Sequence, residues 1–271
     1  MTDKKVIKDF GNEWSVFDQR KLDKNEQRNI FNDYFSIFPF DKLNKNSVGA
    51  DFGCGTGRWS ELLYNKVKLI YCLEPSKAIE VAKLKLNKAK NIIFLNETIQ
   101  DASIENSSLD FAISLGVLHH VDDTESCLNV IYNKLKHNRP FLIYLYSNFE
   151  NKSFLYKIIW KLSDIFRKII SILPFRMKLV ICYLISLFIY LPLSFISKIL
   201  HKLNLNTENI PLNYYKDKSF YTMRTDTLDR LGTKIEKRFS KKQINKLLID
   251  SGFKNIKFSN QMPYWCVCCY K

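Results

Sequence analysis

Several features that would assign this chain to a common protein class are missing. The first ten residues, MTDKKVIKDF, lack the apolar core of a secretory signal, so we expect a cytoplasmic protein. The seven cysteines, an odd number at irregular positions, do not resemble a disulfide framework, which agrees with a reducing compartment. The terminal CVCC has no second ligand cluster at zinc spacing. We therefore predict a strand with cysteines as small apolar residues, and no metal site.

Acidic residues are scarce relative to basic ones. The chain has 27 Asp and Glu against 42 Lys and Arg, which gives a formal net charge of +15. Such an excess suits an anionic partner, for example nucleic acid, an acidic membrane surface or a phosphorylated substrate. The lysines are scattered, however, as on an ordinary solvated surface, and no RNA- or DNA-binding motif is present. We do not expect nucleic acid to be the partner.

Strand-like and helix-like segments alternate along most of the chain. An amphipathic helix over residues 24–38 is followed by five strand-like runs: SVGADFG, VKLIYCLE, NIIFLNE, LDFAISLG and PFLIYLYS. Helix-like segments separate them, one with Ser76 as its N-cap, which indicates right-handed crossovers and a parallel sheet. Near the end, FKNIKFSN and MPYWCVCCYK form an antiparallel hairpin around Asn260–Gln261. The pattern predicts an α/β fold with a Rossmann-like, seven-stranded, mostly parallel sheet and an antiparallel last strand.

Composition divides the chain into four parts. We expect residues 1–40 to form an N-terminal cap segment and helix, and residues 41–147 a Rossmann-like core. An apolar and basic helical insertion follows at 148–239, between the fifth strand and the last helix. Residues 240–271 then supply a helix and a hairpin that complete the core.

The stretch DFGCGTG follows the first predicted strand. Its three glycines, Gly53, Gly55 and Gly57, let the backbone approach a ligand where a Cβ would intervene. No lysine follows, as a P-loop would require, and the spacing is not the GxGxxG of a nicotinamide-dinucleotide loop. Asp51 precedes the glycines, and its carboxylate would repel phosphate but suits an ammonium group or a hydroxyl.

Glu74 ends the second predicted strand, in YCLEPS. An acid at this position can accept both hydroxyls of a ribose, as in other nucleoside-binding Rossmann-like sheets. Alone it would be an ordinary charge at a strand end. Together with Asp51 and the glycine loop, it indicates a nucleoside site.

In this order, DFGCGTG, LEPS and LDFAISLGVLHHV resemble the signature segments of class I S-adenosylmethionine-dependent methyltransferases of the type 11-like kind. The resemblance covers about residues 45–147 and returns at 240–271. It implies S-adenosylmethionine as cofactor, with the three glycines against its methionine part, Asp51 near its ammonium group and Glu74 on its ribose. Thr98 and Ile99 would edge the adenine, although many relatives have aspartate at the Thr98 position, and Leu115 completes the cofactor set. The flanks also resemble a subgroup associated with bacterial glycan and lipid modification.

The acceptor is less well defined by the sequence. His119 and His120 follow the fourth strand, where a histidine could remove the proton of a hydroxyl acceptor, but Leu-His-His also occurs in relatives with other acceptors and could brace the pocket. Where an N-methylating enzyme would have Asn/Asp-Pro-Pro-Tyr, the chain has Ser114-Leu115-Gly116-Val117, which favours oxygen or carbon acceptors. We expect O-methylation of a small-molecule, glycan or lipid-linked acceptor. An RNA or protein methyltransferase, or an inactive cofactor-binding scaffold, are the alternatives.

The insertion contains an uncharged run of 19 residues, 179–197, near the length that spans a bilayer. A single crossing is disfavoured, because the last two strands must rejoin the same sheet, and Pro192 is expected to interrupt the helix. Helices that cap the site and a hairpin in the interface of an anionic membrane both remain open. Three residues are further candidates for substrate contact, with packing as the alternative: Trp14, Tyr221 and Arg224.

Overall fold

The computed structural model describes residues 4–262 and 265–271, and the chain divides into two compact units. The sheet unit comprises Met1–Gln19, Arg28–Asn148 and Lys237–Lys271. The helical unit comprises Arg20–Gln27 and Phe149–Glu236. The four-part division drawn from composition stays a prediction.

The sheet unit is built on seven strands. They are β1 Val48–Phe52, β2 Leu69–Leu73, β3 Ile92–Leu95, β4 Phe111–Leu115, β5 Pro140–Tyr144, β6 Lys254–Phe258 and β7 Cys266–Tyr270. Their order across the sheet is β3-β2-β1-β4-β5-β7-β6. The pairs among β1 to β5 are parallel, whereas β7 runs antiparallel to both β5 and β6. The predicted fold class is confirmed.

Apolar strands explain why this sheet lies inside the unit. All five residues of β4 are buried, as are Cys266, Cys268 and Cys269 of β7, so both faces of these strands are covered. Two hydrophobic clusters result, one around Phe52 and the other around Phe111. Near-continuous apolar strands of this kind are typical of sheets covered by helices on both faces.

The helices of the chain are α1 Lys4–Val16, α2 Lys24–Phe35, α3 Ser60–Leu63, α4 Ala78–Lys85, α5 Thr124–Lys134, α6 Phe154–Ile170, α7 Phe175–Ile185, α8 Leu191–Lys202, α9 Phe220–Gly232 and α10 Lys241–Asp250. Asp123 caps α5, since its side chain accepts a hydrogen bond from the amide of Ser126. The N-cap of α4 is Lys77 rather than the predicted Ser76, although the Ser76 hydroxyl accepts from the amide of Ala78.

The helical unit corrects the expectation for Pro192. The helix does not stop at this residue: a π-helical turn, Ser186–Tyr190, joins α7 to α8, and the continuous helix runs over Phe175–Lys202. A proline removes one amide donor and crowds the preceding turn, and a wider π-turn gives the room that an α-turn lacks. Among the described residues, this helix is the one long and apolar enough to cross a membrane, judged by length and composition.

The final hairpin also differs from its prediction. β6 ends at Phe258 and β7 begins at Cys266, so the connection is longer than a tight turn at Asn260–Gln261. The start of the predicted last strand includes residues 263 and 264, which lie outside the described residues. At the end of the connection, the indole of Trp265 donates a hydrogen bond to the carbonyl of Phe239 at 2.8 Å.

Candidate functional site

The predicted cofactor residues meet at one edge of the sheet unit. The strand order reverses between β1 and β4, and ligands of open α/β sheets bind outside the carboxyl ends of the strands at such a switch point. Asp51, Glu74 and Leu115 lie at or next to the carboxyl ends of β1, β2 and β4. The topology therefore places the candidate site where the fold has its natural crevice.

The glycine loop after β1 uses backbone conformations that favour glycine. Gly53 has φ of 79° and Gly55 has φ of 52°. A Cβ on Gly53 would lie 2.5 Å from a methyl carbon of Val117, the second residue after β4. The backbone of the loop is therefore packed against the end of β4 with no room for a side chain.

Asp51 is buried beneath this loop. Its Oδ2 accepts a hydrogen bond from the Ser60 hydroxyl at 2.8 Å, while Oδ1 is buried with no hydrogen-bond partner in the described part of the chain. Burial raises the pKa of Asp51 from 3.8 to about 7, against the lowering effects of the Ser60 hydrogen bond and the Arg58 charge. A buried oxygen left without a donor is suited to a cationic or hydrogen-bonding ligand.

Glu74 is held by the backbone. The amide of Gly55 donates to Oε2 at 3.1 Å, and the amide of Ser76 donates to Oε1 at 3.0 Å. Burial raises the pKa of Glu74, and these amide hydrogen bonds oppose that shift. Each carboxylate oxygen keeps further acceptor capacity, so a diol can still be bound.

Of the two residues predicted to lie around the adenine, Thr98 makes a polar contact, whereas Ile99, like Leu115, lies in an apolar cluster. Thr98 donates from its hydroxyl to Asp101 at 2.6 Å, and this acid stands three residues beyond the position where relatives have aspartate. The side chains of Ile99 and Leu115 are buried in the two hydrophobic clusters of the sheet unit. Only backbone groups of Ile99 are then suited to polar contact with a base, and the roles of all three residues stay predictions.

His119 and His120 follow β4 in the chain, and both rings are buried. The ring of His119 stacks on Tyr146, with centroids 3.7 Å apart and planes at 24°, and the two histidine rings are 4.1 Å apart. Neither ring nitrogen of His119 has a hydrogen-bond partner among the described residues. Burial, with the nearby His120 and Arg238, lowers the pKa of His119 well below its usual value. This imidazole is therefore neutral near pH 7.

Sequence reasoning missed the aromatic group that surrounds these histidines. Tyr146 lies just beyond β5, 5.9 Å from Tyr144 between ring centroids, and the Arg238 guanidinium lies 5.2 Å from the Tyr146 ring. Arg238 also donates to the carbonyl of Ser147 at 2.9 Å. The alternating tyrosines of FLIYLYS were a usable signal, since residues two apart on a strand share a face.

The N-terminal helix α1 belongs to the sheet unit and contacts the loops at the same edge. Trp14 lies over Gly55, with its Nε1 3.6 Å from where a Cβ of Gly55 would be. Gly11 packs against Ser76 and Lys77, and the Phe10 ring meets that of His120 edge-on at 4.9 Å. α1 thus lies next to the loops that follow β1, β2 and β4.

Tyr221 and Arg224 belong to the helical unit and are described within it. Both lie on α9, and the Arg224 guanidinium lies 5.0 Å from the centre of the Tyr183 ring on α7. Their contact with a substrate stays a prediction.

The polar groups at this edge fit an S-adenosyl nucleoside better than a phosphate ligand. Two buried carboxylates flank a backbone loop, which disfavours a phosphate and suits a sulfonium, an ammonium group and hydroxyls. A Cβ built on Gly116, just after β4, would meet no atom within 4 Å, so space is open beside the loop.

Part of the sheet unit matches a known protein family. Residues 50–143 match the model of a methyltransferase domain, and no curated protein matches the sequence. Among solved structures, the chain is similar to the YcgJ protein of Bacillus subtilis, at 17% identity over 46% of this chain, with a TM-score of 0.40. The match covers 52% of that protein, about half its length.

Two further solved structures are similar over most of their length. One is a SAM-dependent methyltransferase from Thermotoga maritima, with 15% identity, coverage of 95% of this chain and 97% of the other, and a TM-score of 0.48. The other, from Aquifex aeolicus, has 12% identity, coverage of 92% and 98%, and a TM-score of 0.48. The match over residues 50–143 confirms the methyltransferase domain that the sequence predicted, and S-adenosylmethionine is the cofactor of that domain.

Proposed function

We propose that this protein transfers the methyl group of S-adenosylmethionine to an oxygen of a small-molecule, glycan or lipid-linked acceptor. The observation that carries the proposal is the pair of buried carboxylates, Asp51 and Glu74, at the carboxyl ends of neighbouring parallel strands on either side of the glycine loop. When bound, S-adenosylmethionine supplies an electrophilic methyl group on a positively charged sulfur. The protein has to orient the two reactants and exclude water.

Each cofactor role follows from the chemistry of the residue. Glu74 would accept hydrogen bonds from the ribose hydroxyls, because the amides of Gly55 and Ser76 already orient its two oxygens. The unpartnered Oδ1 of Asp51 would receive an ammonium group, directly or through water. Trp14 would help to exclude water above the loop.

The choice of an oxygen acceptor rests on the segment at the carboxyl end of β4. It reads Ser114-Leu115-Gly116-Val117, without the Asn-Pro-Pro-Tyr that holds a planar amino group in N-methylating enzymes. The open space at Gly116 leaves room for an acceptor beside the glycine loop. His119 follows, and its neutral imidazole with unpartnered nitrogens can accept the proton that a hydroxyl loses.

Calorimetry with S-adenosylmethionine, followed by a turnover assay with labelled methyl donor on pools of small molecules, glycans and lipids, tests the proposal. We expect cofactor binding and methyl transfer to a hydroxyl. Replacing both His119 and His120 with alanine should abolish turnover and preserve cofactor binding, whereas the exposed His137→Ala control should leave both unchanged.

Four outcomes would contradict parts of the proposal. No binding of S-adenosylmethionine would remove the cofactor assignment, and binding without turnover on any acceptor pool would favour a scaffold. Methylated nitrogen in the product would overturn the oxygen assignment. Unchanged turnover in the double histidine variant would refute the proton-acceptor role.

A further inference from the structure

The long helix of the helical unit, Phe175–Lys202, buries its polar side and exposes its apolar side, the reverse of a helix in a water-soluble protein. Its buried positions are mostly small or polar, and they recur every three or four residues: Lys178, Cys182, Ser186, Tyr190, Ser194 and Ser197. Large apolar side chains lie on the outside, such as Val180, Phe188 and Phe195, which are 60%, 70% and 62% exposed. A helix on the surface of a soluble protein normally buries its apolar side and exposes its polar side.

The polar side of this helix makes hydrogen bonds inside the unit. The Lys178 ammonium donates to the carbonyl of Gly232 at 2.8 Å, and the Ser186 hydroxyl donates to the Thr227 hydroxyl at 3.0 Å, both on α9. These bonds fix which side of the helix faces α9. The apolar side therefore faces away from α9.

α6 repeats the same arrangement. Its buried Arg167 donates to the carbonyl of Thr233 at 3.1 Å, next to the end of α9. Eight large apolar side chains of α6 are exposed, among them Phe154, Leu162 and Phe166. At 100° per residue they form one stripe of about 140° along the helix. We call this stripe, together with the exposed apolar side chains of α7 and α8, the outer apolar face.

This face is too large for an ordinary soluble surface. Of the 25 large hydrophobic side chains that are exposed in the described part of the chain, 21 lie between residues 154 and 205. Soluble proteins rarely expose contiguous apolar patches of more than a few hundred Å². A face of this kind is suited to an apolar partner.

The charges around the face select the kind of partner. Residues 151–203 contain nine Lys and Arg, of which Arg167 and Lys178 are buried inside the unit, and one Asp, so seven basic residues against one acid remain to surround the face. On α6, Lys157, Lys161 and Lys168 lie along one border of the apolar stripe, where long side chains can keep their ammonium groups at the level of lipid headgroups. A second copy of this chain would bring the same positive charge against it, whereas an anionic bilayer surface neutralises it.

The chain path excludes a single crossing of the bilayer. The two ends of the segment between β5 and α10 lie side by side: Ser147 pairs with Phe239, and the amide of Asn148 donates to the Phe239 carbonyl at 3.0 Å. A segment that leaves and returns at one point has to cross an even number of times. In the described residues one helix alone has the length and hydropathy for a crossing, so the helices have to lie along the surface.

We propose that the outer apolar face docks the protein on an anionic lipid bilayer, with α6 and the helix Phe175–Lys202 in the plane of the membrane interface. The apolar side chains enter the boundary between headgroups and acyl chains, and the bordering lysines contact anionic headgroups. This inference does not depend on the proposed methyl transfer, because membrane docking requires neither cofactor nor turnover.

Flotation with lipid vesicles tests it directly. The full-length protein, kept in mild detergent until vesicles are added, is floated with vesicles of phosphatidylcholine alone or with about a third phosphatidylglycerol. We expect the protein to float with the anionic vesicles, at least about tenfold more tightly than with neutral ones, and to bind less well at high salt.

A matched pair of variants tests whether vesicle binding depends on this face or on nonspecific hydrophobic contact. The double variant Leu162→Glu with Phe166→Glu places two charges in the stripe of α6, and we expect it to lose at least about tenfold in vesicle affinity. The control, Leu84→Glu with Ile249→Glu, changes two side chains of the sheet unit that are 76% and 55% exposed, close to the 65% of Phe166 and the 55% of Leu162. The control should bind like the unchanged protein.

A spectroscopic measurement covers the case in which the glutamate variant does not fold. A tryptophan at position 166, as Phe166→Trp, should shift its emission to shorter wavelength with vesicles and be quenched by brominated lipids, whereas Leu84→Trp should not. The proposal is overturned if the unchanged protein stays behind when anionic vesicles float, or if tryptophan 166 is insensitive to brominated lipid. It is also overturned if sedimentation shows that the face is covered by a second copy in the absence of lipid and stays so with vesicles.

Discussion

The backbone amide of Gly55 donates a hydrogen bond to Oε2 of Glu74 at 3.1 Å, across the ends of two neighbouring strands. The glycine loop after β1 and the acid after β2 therefore form one structure, although 19 residues separate them in the chain. The bond orients the carboxylate before any ligand arrives. Orientation of this kind reduces the entropy that binding has to overcome.

Glu74→Gln should weaken S-adenosylmethionine binding by at least about tenfold, because hydrogen bonds to a charged acceptor contribute about 1.5–3 kcal/mol each. The glutamine keeps the shape of the side chain and one oxygen for a backbone amide, so the fold should be retained. Calorimetry gives the affinity. Glu80→Gln, on the exposed side of α4, is the matched control and should bind like the unchanged protein. Equal affinities in the two variants would show that Glu74 does not hold the ribose.

Asp51 should contribute less to the stability of the ligand-free protein as the pH rises from about 4 to about 7. Asp51 has a pKa of about 7 in the folded protein and 3.8 as its ordinary value, so between these values the folded state binds more protons than the unfolded state. The stabilisation is complete below the ordinary pKa and is lost as the pH rises through the folded pKa. It amounts to at most about 4 kcal/mol.

Asp51→Asn isolates this contribution. The difference in the free energy of unfolding between the unchanged protein and the variant, measured by denaturant titration, should decrease between pH 4.5 and 7.5. Affinity for the cationic cofactor should rise over pH 6 to 7.5 in the unchanged protein and not in the variant, because ionised Asp51 favours a positive ligand. A pH-independent difference would contradict the raised pKa.

Gly53→Ala and Gly116→Ala separate crowding from backbone strain. Both glycines have positive φ, 79° and 82°, but a Cβ on Gly53 would lie 2.5 Å from Val117, whereas one on Gly116 meets nothing within 4 Å. We expect Gly53→Ala to lower the free energy of unfolding by about 2–4 kcal/mol and Gly116→Ala by about 1–2 kcal/mol. Denaturant titration of both variants measures this. Equal losses would mean that Val117 moves away at little cost.

His119 should make the protein less stable in acid. Because its folded pKa lies well below 6.5, the unfolded state binds the proton more readily, so the stability present above pH 6.5 is lost as the pH falls. Replacement by asparagine should flatten the pH dependence of the unfolding free energy below pH 6.5, and His137→Asn should leave it unchanged. A His119→Asn profile parallel to that of the unchanged protein would show that the ring has the same pKa in the folded and unfolded states.

Much of the sheet unit could be predicted, because its signals are local. Alternation of apolar strands with helical segments predicts β1 to β5 and the helices between them, and DFGCGTG predicts a loop at which the backbone approaches a ligand. Where prediction was wrong, the cause was a longer-range constraint. The connection before β7 is longer than its turn residues suggest. The helix continues through Pro192 because the preceding π-helical turn accommodates a residue that lacks an amide donor.

Residue types and spacing determined the fold class and the acids at the strand ends, since each depends on neighbours within one short segment, and the resemblance of those segments to a known family implied the cofactor. Only the tertiary structure decided that Tyr146 stacks on His119, that Oδ1 of Asp51 has no donor in the described chain, and that the helical unit carries its apolar side outward. Contacts between distant segments determine burial and hydrogen-bond partners, and helical periodicity shows that a helix has an apolar side without showing which way that side faces.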